Sequence, residues 1–393
     1  MITEKDLHII VFTGLHPVLS FFVEQLIKYL DTHGVDYYLA DAEHPETYNS
    51  PAFQEYVSKE NVAVFMFNNI GASLSSNEGV NLWKERGIPV FDCLVDHPRS
   101  FEDTLKNPPC DIYAFALDYD HVSYMRKYYP KLAGIYFSPN GGTSCGTNTP
   151  FAERSIDVLY TGNCHEPILS FPKIDFMVDG GEEYYQYTIR SILANPSLSV
   201  DEIIDQYISL SGMNTDNEKS YYLKAETGAF IETVARRKTK LEGMKALDEA
   251  GVHVEIFGGS WICDDYPFSS NISVHDRIDI HELLPKISDS KITLCFMPWF
   301  KKGSSEKVFD AMLNGSLCVT DYSDYLGFNY RDGYNIIFFD LNNPKQMAAD
   351  IKWLLDNPKA AEKIALNGYN TAISYDTWNS RFDFIIDRIL SVF

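Results

Sequence analysis

The stretch FMPWFKKGSSEKVFDAMLNGSLCVTDYSDYLGFNYRDGYNIIFFD, residues 296–340, decides the fold. An apolar run, KITLCFM, ends at Met297, and a loop carrying Lys301, Lys302 and Gly303 leads into Ser304-Ser305. Helical spacing then takes over. Ser304, Lys307 and Asp310 lie three residues apart along one stripe, while Val308 and Met312 turn inward. Gly315 after Asn314 closes the helix. Two further apolar runs follow, SLCVT at 316–320 and NIIFF at 335–339. Strand, helix and strand at this spacing predict parallel strands covered by helices. The small-residue loop opening onto a helix N-terminus suits a diphosphate, because exposed N–H groups and the macrodipole favour an anion. Lys307 adds a point charge, and Asp310 is spaced to accept from a ribose. An ordinary capped helix with a surface lysine has the same local pattern.

Outward from this stretch the same alternation recurs. In the first part of the chain, apolar runs at 7–12, 35–39, 62–67, 88–94 and 111–117 are separated by helix-compatible segments. Pro17 suits the first turn of one helix and Gly34 its end. Residues 138–150, SPNGGTSCGTNTP, read as a linker. The pattern restarts at 156–161 and resumes at 252–257 and 291–297, with a strand-poor helical region over 166–250 between them. The expectation is an α/β protein of two Rossmann-like domains facing across a cleft: residues 1–155, residues 156–375 with the helical insertion 166–250, and a terminal helix over 376–393 that packs back on the first domain.

Composition narrows the function. The chain has 393 residues, 45% hydrophobic and 22% charged, which is normal for two globular domains. Its net charge of −22 argues against a nucleic-acid partner, whose phosphates need a broad basic surface. Seven scattered cysteines without a C-x-x-C pair suit a reducing compartment rather than a disulfide scaffold. The start, Met1-Ile2-Thr3-Glu4-Lys5-Asp6, lacks a signal-peptide pattern, and no apolar run is long enough for a transmembrane segment. A cytoplasmic location follows as the expectation.

Residues Lys307, Val308-Phe309, Asp310, Ala311-Met312, Gly315, Thr320-Asp321 and Gly333-Tyr334-Asn335-Ile336 together resemble the C-terminal signature of group 1 glycosyltransferases of the GT-B fold. They look most like the bacterial spore-maturation branch, and Ala365–Tyr369, Trp378 and Arg381 also fit that family's C-terminal region. The resemblance covers roughly 250–385 and is architectural over the first 155. It implies a hexosyltransferase-type enzyme that takes a nucleotide diphosphate sugar as donor in the second domain. The acceptor, of unknown identity, is held in the first domain, and no metal or other cofactor is required. By resemblance, Ser304, Ser305, Glu306, Lys307 and Asp310 bind the donor diphosphate and ribose. Gly14, Gly258, Gly259 and Arg277 are further donor contacts. Many retaining members carry two glutamates eight positions apart; Asp310 and Lys302 stand at those places here, which leaves the stereochemical outcome open.

Deprotonating an acceptor hydroxyl calls for a general base. His16 follows strand one in Gly14-Leu15-His16-Pro17, and Asp96-His97-Pro98 follows the strand at 88–94. Both positions are strand C-terminal ends, where open α/β sheets bind ligands, so His16, Asp96 and His97 are the catalytic candidates. A capping or packing role in the turn is the alternative for His16. Other signals are weaker. Asp118-Tyr119-Asp120 and Asp264-Asp265 read as loop residues rather than metal ligands, His275 and His281 lack ligand partners at sensible spacing, and Gly141-Gly142 reads as linker. There is no G-x-G-x-x-G or P-loop. A nucleotide-sugar epimerase of the same architecture and a degenerate, non-catalytic binding scaffold remain as alternatives. The helical region is open to either an acceptor-site role or a homodimer contact.

Overall fold

A computed structural model describes residues 2–76, 78–147, 149–164, 170–174, 180–213, 217–261, 266–298 and 300–393. Cys263 and Asp264-Asp265 lie outside these. The chain divides into two compact units, one formed by Met1–Gly141 with Asp376–Phe393 and the other by Gly142–Tyr375.

The first unit contains strands β1 (His8–Thr13), β2 (Asp36–Asp41), β3 (Val62–Phe67), β4 (Val90–Leu94), β5 (Ile112–Ala116) and β6 (Gly134–Phe137). They form one sheet in the order β2-β1-β3-β4-β5-β6, every pair parallel. All six residues of β3 are buried, as both-face coverage demands. The first helix, α1 (Pro17–His33), starts with Pro17 and ends at Gly34 in the left-handed conformation at φ 68°. Four more helices connect the strands: α2 (Pro51–Val57), α3 (Leu82–Arg86), α4 (Glu102–Leu105) and α5 (Tyr119–Tyr128).

The second unit repeats the plan with β7 (Ile156–Thr161), β8 (Val254–Phe257), β9 (Ile272–His275), β10 (Ser290–Cys295), β11 (Leu317–Asp321) and β12 (Ile337–Phe339), in the order β12-β11-β10-β7-β8-β9, again all parallel. Between β7 and β8 lie α6 (Gly181–Ala194), α7 (Val200–Ser211) and the long α8 (Asn217–Glu249). Tyr184, Ile203, Ile204 and Ile231 give these helices a core of their own, while Met244 and Leu247 of the same α8 join the core under the sheet. The helix therefore serves two cores in succession, which explains why no single apolar stripe runs its length. The remaining helices are α9 (Ile280–Ser288), α10 (Glu306–Leu313), α11 (Asp324–Asn329), α12 (Pro344–Asp356) and α13 (Pro358–Tyr375).

The last helix, α14 (Trp378–Leu390), belongs to the first unit. Trp378 packs at 4.7 Å from Phe22 and 6.2 Å from Phe67, and the Tyr29 hydroxyl donates to Asp383 Oδ1 at 2.8 Å.

Candidate active site

In a doubly wound sheet, ligands bind beyond the strand C-termini where the winding reverses. In the second unit that reversal falls between β7 and β10. The chain leaves β7 as Thr161-Gly162-Asn163-Cys164, closely packed on the exit of β8. A side chain at Gly258 would place its Cβ 2.4 Å from the Gly162 carbonyl oxygen, so only glycine fits. The Gly259 N–H donates to Asn163 Oδ1 at 2.9 Å, and Trp261 Nε1 donates to Gly162 O at 2.9 Å.

Cations converge on this turn from two helices. Lys307 Nζ, from α10, donates to Thr161 O at 3.2 Å. Lys240 Nζ, from α8, donates to Asn163 O at 2.8 Å and is only 5% exposed. Arg237 reaches Cys164 Sγ at 3.7 Å, and Arg236 pairs with Glu232 at 3.3 Å. Burial, and then the neighbouring charges of Lys307 and Arg236, push the Lys240 ammonium down to about 7. A multivalent anion beside these cations would relieve the penalty that Lys240 bears.

The loop into α10 completes the crevice. Ser305 is the N-cap residue in an extended conformation, yet its side chain caps no helix N–H. Its hydroxyl and that of Ser304 lie 3.5 and 3.9 Å from the Met297 sulfur, and the Ser304 hydroxyl also donates to Ser305 O at 3.2 Å. Asp321 at the end of β11 accepts from Met297 N at 2.6 Å and fixes the start of this loop; burial pushes its carboxyl up to about 6. Glu306 is half-buried in the first turn of α10.

Two expectations for this region are corrected. Asp310 does not offer its carboxyl to a ribose: it is buried, and Oδ1 accepts from Thr143 N at 2.7 Å. One turn on, Asn314 accepts from Cys145 N and donates to Thr143 O, so this face of α10 clamps the 142–147 segment. Ser304 precedes the helix rather than continuing its stripe. Lys302, at the position of the missing glutamate, pairs with Glu202 of α7 at 3.5 Å. Arg277 is exposed beyond the end of β9, an edge strand.

In the first unit the winding reverses between β1 and β3. Beyond β1, Gly14 has φ 92°, and a Cβ there would stand 2.5 Å from Asp41 Oδ1. Gly14 thus shapes the turn of the first unit. Leu15 follows at φ 63°, a rare conformation for a branched residue, with its side chain 62% exposed. This turn delivers His16 to the N-cap of α1, exposed and with no side-chain bond to the helix. Beyond β3, Asn68 and Asn69 are also left-handed. Asn68 Nδ2 donates to Asp96 Oδ2 at 3.1 Å and Asn69 N donates to Asp92 Oδ1 at 3.1 Å; burial pushes Asp92 up to about 7.

His97 is a third correction. Its Nδ1 accepts from Arg99 N at 3.1 Å and Arg99 Nε at 2.9 Å, and its ring packs on His121 and Tyr124. With that lone pair taken by a guanidinium, His97 anchors the turn instead of receiving a proton. Asp118 is the N-cap of α5, accepting from Asp120 N at 2.7 Å. Among the described residues no three His, Cys, Asp or Glu side chains gather as a metal site, and no helix is long and apolar enough to cross a membrane.

Sequence reasoning misses Arg236, Arg237 and Lys240. The signal was present: four cations in five positions, Arg236, Arg237, Lys238 and Lys240, within a chain of net charge −22.

Comparison with known proteins bears on this architecture. Residues 236–387 match the family described as glycosyl transferase-like. No curated protein matches the chain in sequence. Among solved structures, sucrose-phosphate synthase from Thermosynechococcus elongatus aligns with a TM-score of 0.53 at 11% identity, covering 98% of this chain and 100% of that one. An α-glucosyltransferase in complex with UDP and a 13-mer DNA containing an HMU base gives 0.53 at 12% identity, covering 98% and 99%. Anabaena HepE in complex with UDP gives 0.50 at 11% identity, covering 98% and 100%. The two six-stranded parallel sheets with their helices match GT-B glycosyltransferase structures.

Proposed function

We propose that this chain is a glycosyltransferase that moves a sugar from a nucleotide diphosphate donor to an acceptor hydroxyl, without a metal. The observation that carries the reading is the gathering of Lys307, Lys240, Arg236 and Arg237 around the glycine-bounded turns after β7 and β8. A diphosphate placed there meets fixed cations and the uncapped N–H groups of α10. The family match over 236–387 and the likeness to structures solved with UDP support the donor class. The run from Lys307 to Ile336 supports the spore-maturation branch. Soluble composition and the absence of a membrane-crossing helix among the described residues are consistent with a cytoplasmic enzyme.

The chemistry follows from the groups present. The acceptor oxygen attacks the anomeric carbon while the bond from that carbon to the diphosphate oxygen breaks. Negative charge develops on the departing diphosphate, where Lys307 and Lys240 stabilise it electrostatically, a role often filled by a metal. His16 of the first unit takes the acceptor proton, with its exposed imidazole presented by the strained Gly14-Leu15 turn. Asp96, oriented by Asn68, is the second polar contact on that unit.

Turnover of UDP-glucose and other nucleotide sugars, followed as release of the nucleotide diphosphate with excess EDTA present, tests the reading. The expected result is release that persists in EDTA and falls about 10²- to 10⁴-fold in His16→Ala, the usual range for a general base. Activity strictly dependent on added metal, or donor converted with no acceptor and no diphosphate released, contradicts it; the latter is the epimerase outcome.

A further inference from the structure

A second cavity, of about 530 Å³, lies beside edge strand β12, between β12, α12 and α13. Strand spacing alone sets it about 12 Å from the β7–β10 boundary. Two large aromatic side chains border it, Trp353 at 56% exposed and Tyr334 at 53%. An exposed tryptophan beside a concave surface is unusual on a water-facing helix and marks a binding surface.

The polar groups around the rings define what fits. Asp332 Oδ1 accepts from Phe338 N at 2.9 Å, Asp350 Oδ1 accepts from Gln346 Nε2 at 2.8 Å, and Asn367 Nδ2 donates to Tyr334 O at 2.9 Å. These bonds hold the three side chains in place and leave Asp332 Oδ2, Asp350 Oδ2 and Asn367 Oδ1 to accept from a ligand. The floor is apolar, from Ile337 and Ile364. A suitable ligand offers several hydroxyl donors in fixed geometry and apolar C–H faces to the rings. Two carboxylates disfavour an anion, and Lys363 on the same wall disfavours the quaternary ammonium that aromatic rings also suit. Pyranose rings meet every condition. We propose that this cavity is a saccharide-binding subsite, separate from the donor crevice, which holds part of a glycan chain. As an acceptor subsite it rests on the transferase reading; as a saccharide site it does not.

Isothermal titration of the full chain with maltohexaose, cellohexaose and chitohexaose, with choline as a fourth ligand, tests this. Wild type, Trp353→Ala and Trp353→Phe are compared, and the thermal shift given by UDP is recorded for each. The expected result is that one oligosaccharide binds wild type and Trp353→Phe, about tenfold more weakly to Trp353→Ala, with the UDP shift equal in all three. Because Trp353 is exposed, the alanine variant leaves the core intact. Failure of all three oligosaccharides to bind, equal binding by Trp353→Ala, or binding of choline in their place overturns the proposal. Saccharide binding that depends on Trp353 in a protein that none of UDP, GDP, dTDP, ADP and CDP stabilises would retain the subsite and remove the transferase reading.

Discussion

Lys240 sits beside Lys307 and Arg236 with its ammonium donated to the Asn163 carbonyl. Its folded-state value of about 7 lies below the ordinary lysine value, so between pH 7 and about 10 the unfolded chain binds more protons than the native one. The sign is then fixed: the cost of burying this charge is fully present below pH 7 and is relieved as pH rises. A bound diphosphate reverses the balance by favouring the charged form. Nucleotide diphosphate binding at pH 8 therefore takes up a proton, and affinity weakens from pH 7 to pH 9. Calorimetry in buffers of different ionisation enthalpy checks this, with Lys240→Met expected to lose the uptake. Uptake unchanged in that variant would place the titrating group elsewhere. His97 and Asp310 show the limit of spacing arguments at this scale. Both were well placed along their elements, but Arg99 takes the lone pair of one and Thr143 the carboxyl of the other. Thr143 is remote in sequence from Asp310, and Arg99, two residues after His97, folds back on it through a turn that periodicity does not describe.

At the scale of elements, α10 departs from a usual helix start. Ser305 occupies the N-cap with its hydroxyl turned to the Met297 sulfur, so the first-turn amides lack the customary side-chain partner. Replacing an N-cap serine by alanine ordinarily costs about 1 kcal/mol. Ser305→Ala is expected to cost under about 0.5 kcal/mol in urea unfolding, because no cap bond is lost; a full-sized loss would show that the hydroxyl caps the helix in solution. The 296–340 stretch was legible because its strands are central or strongly apolar and Gly315, at φ 67°, ends the helix where the glycine stands. The strands β6 and β9 were not. Each is a four-residue edge strand: β6 is apolar but short and only half-buried, and in β9 only Ile272 is buried, so neither carries the signal of a long strand covered on both faces. The cation cluster was equally hidden, since its members stand on α8 and α10, some seventy residues apart, and meet only through the turn after β7.

Over the whole molecule, the chain is strongly acidic yet places buried Lys240 beside Lys307, Arg236 and Arg237 at the turn after β7. Local electrostatics there oppose the net charge, a setting that favours a small anion locally on an acidic protein. The first unit depends on the end of the chain. Trp378 is 6% exposed and packs on Phe22 and Phe67, and its backbone lies so close to Gly141 that a Cβ there would come within 2.3 Å of Trp378 N. Trp378→Ala should cost about 3–5 kcal/mol, as large-to-small changes in a packed core do, read as a lower midpoint in urea unfolding. A loss near zero would mean that α14 contributes little to that core.

A nucleotide diphosphate held at the β7–β10 turns by their own cations is detected by a thermal-shift titration. Wild type and Lys307→Ala are melted with UDP, GDP, dTDP, ADP and CDP, in EDTA and in magnesium. A ligand that binds only the folded state raises the melting temperature by mass action. One diphosphate is expected to stabilise wild type equally in EDTA and magnesium. Lys307→Ala is expected to melt close to wild type without ligand and to need at least about tenfold more nucleotide for the same shift. No shift with any diphosphate, or a shift that Lys307→Ala keeps in full, would contradict binding through these cations.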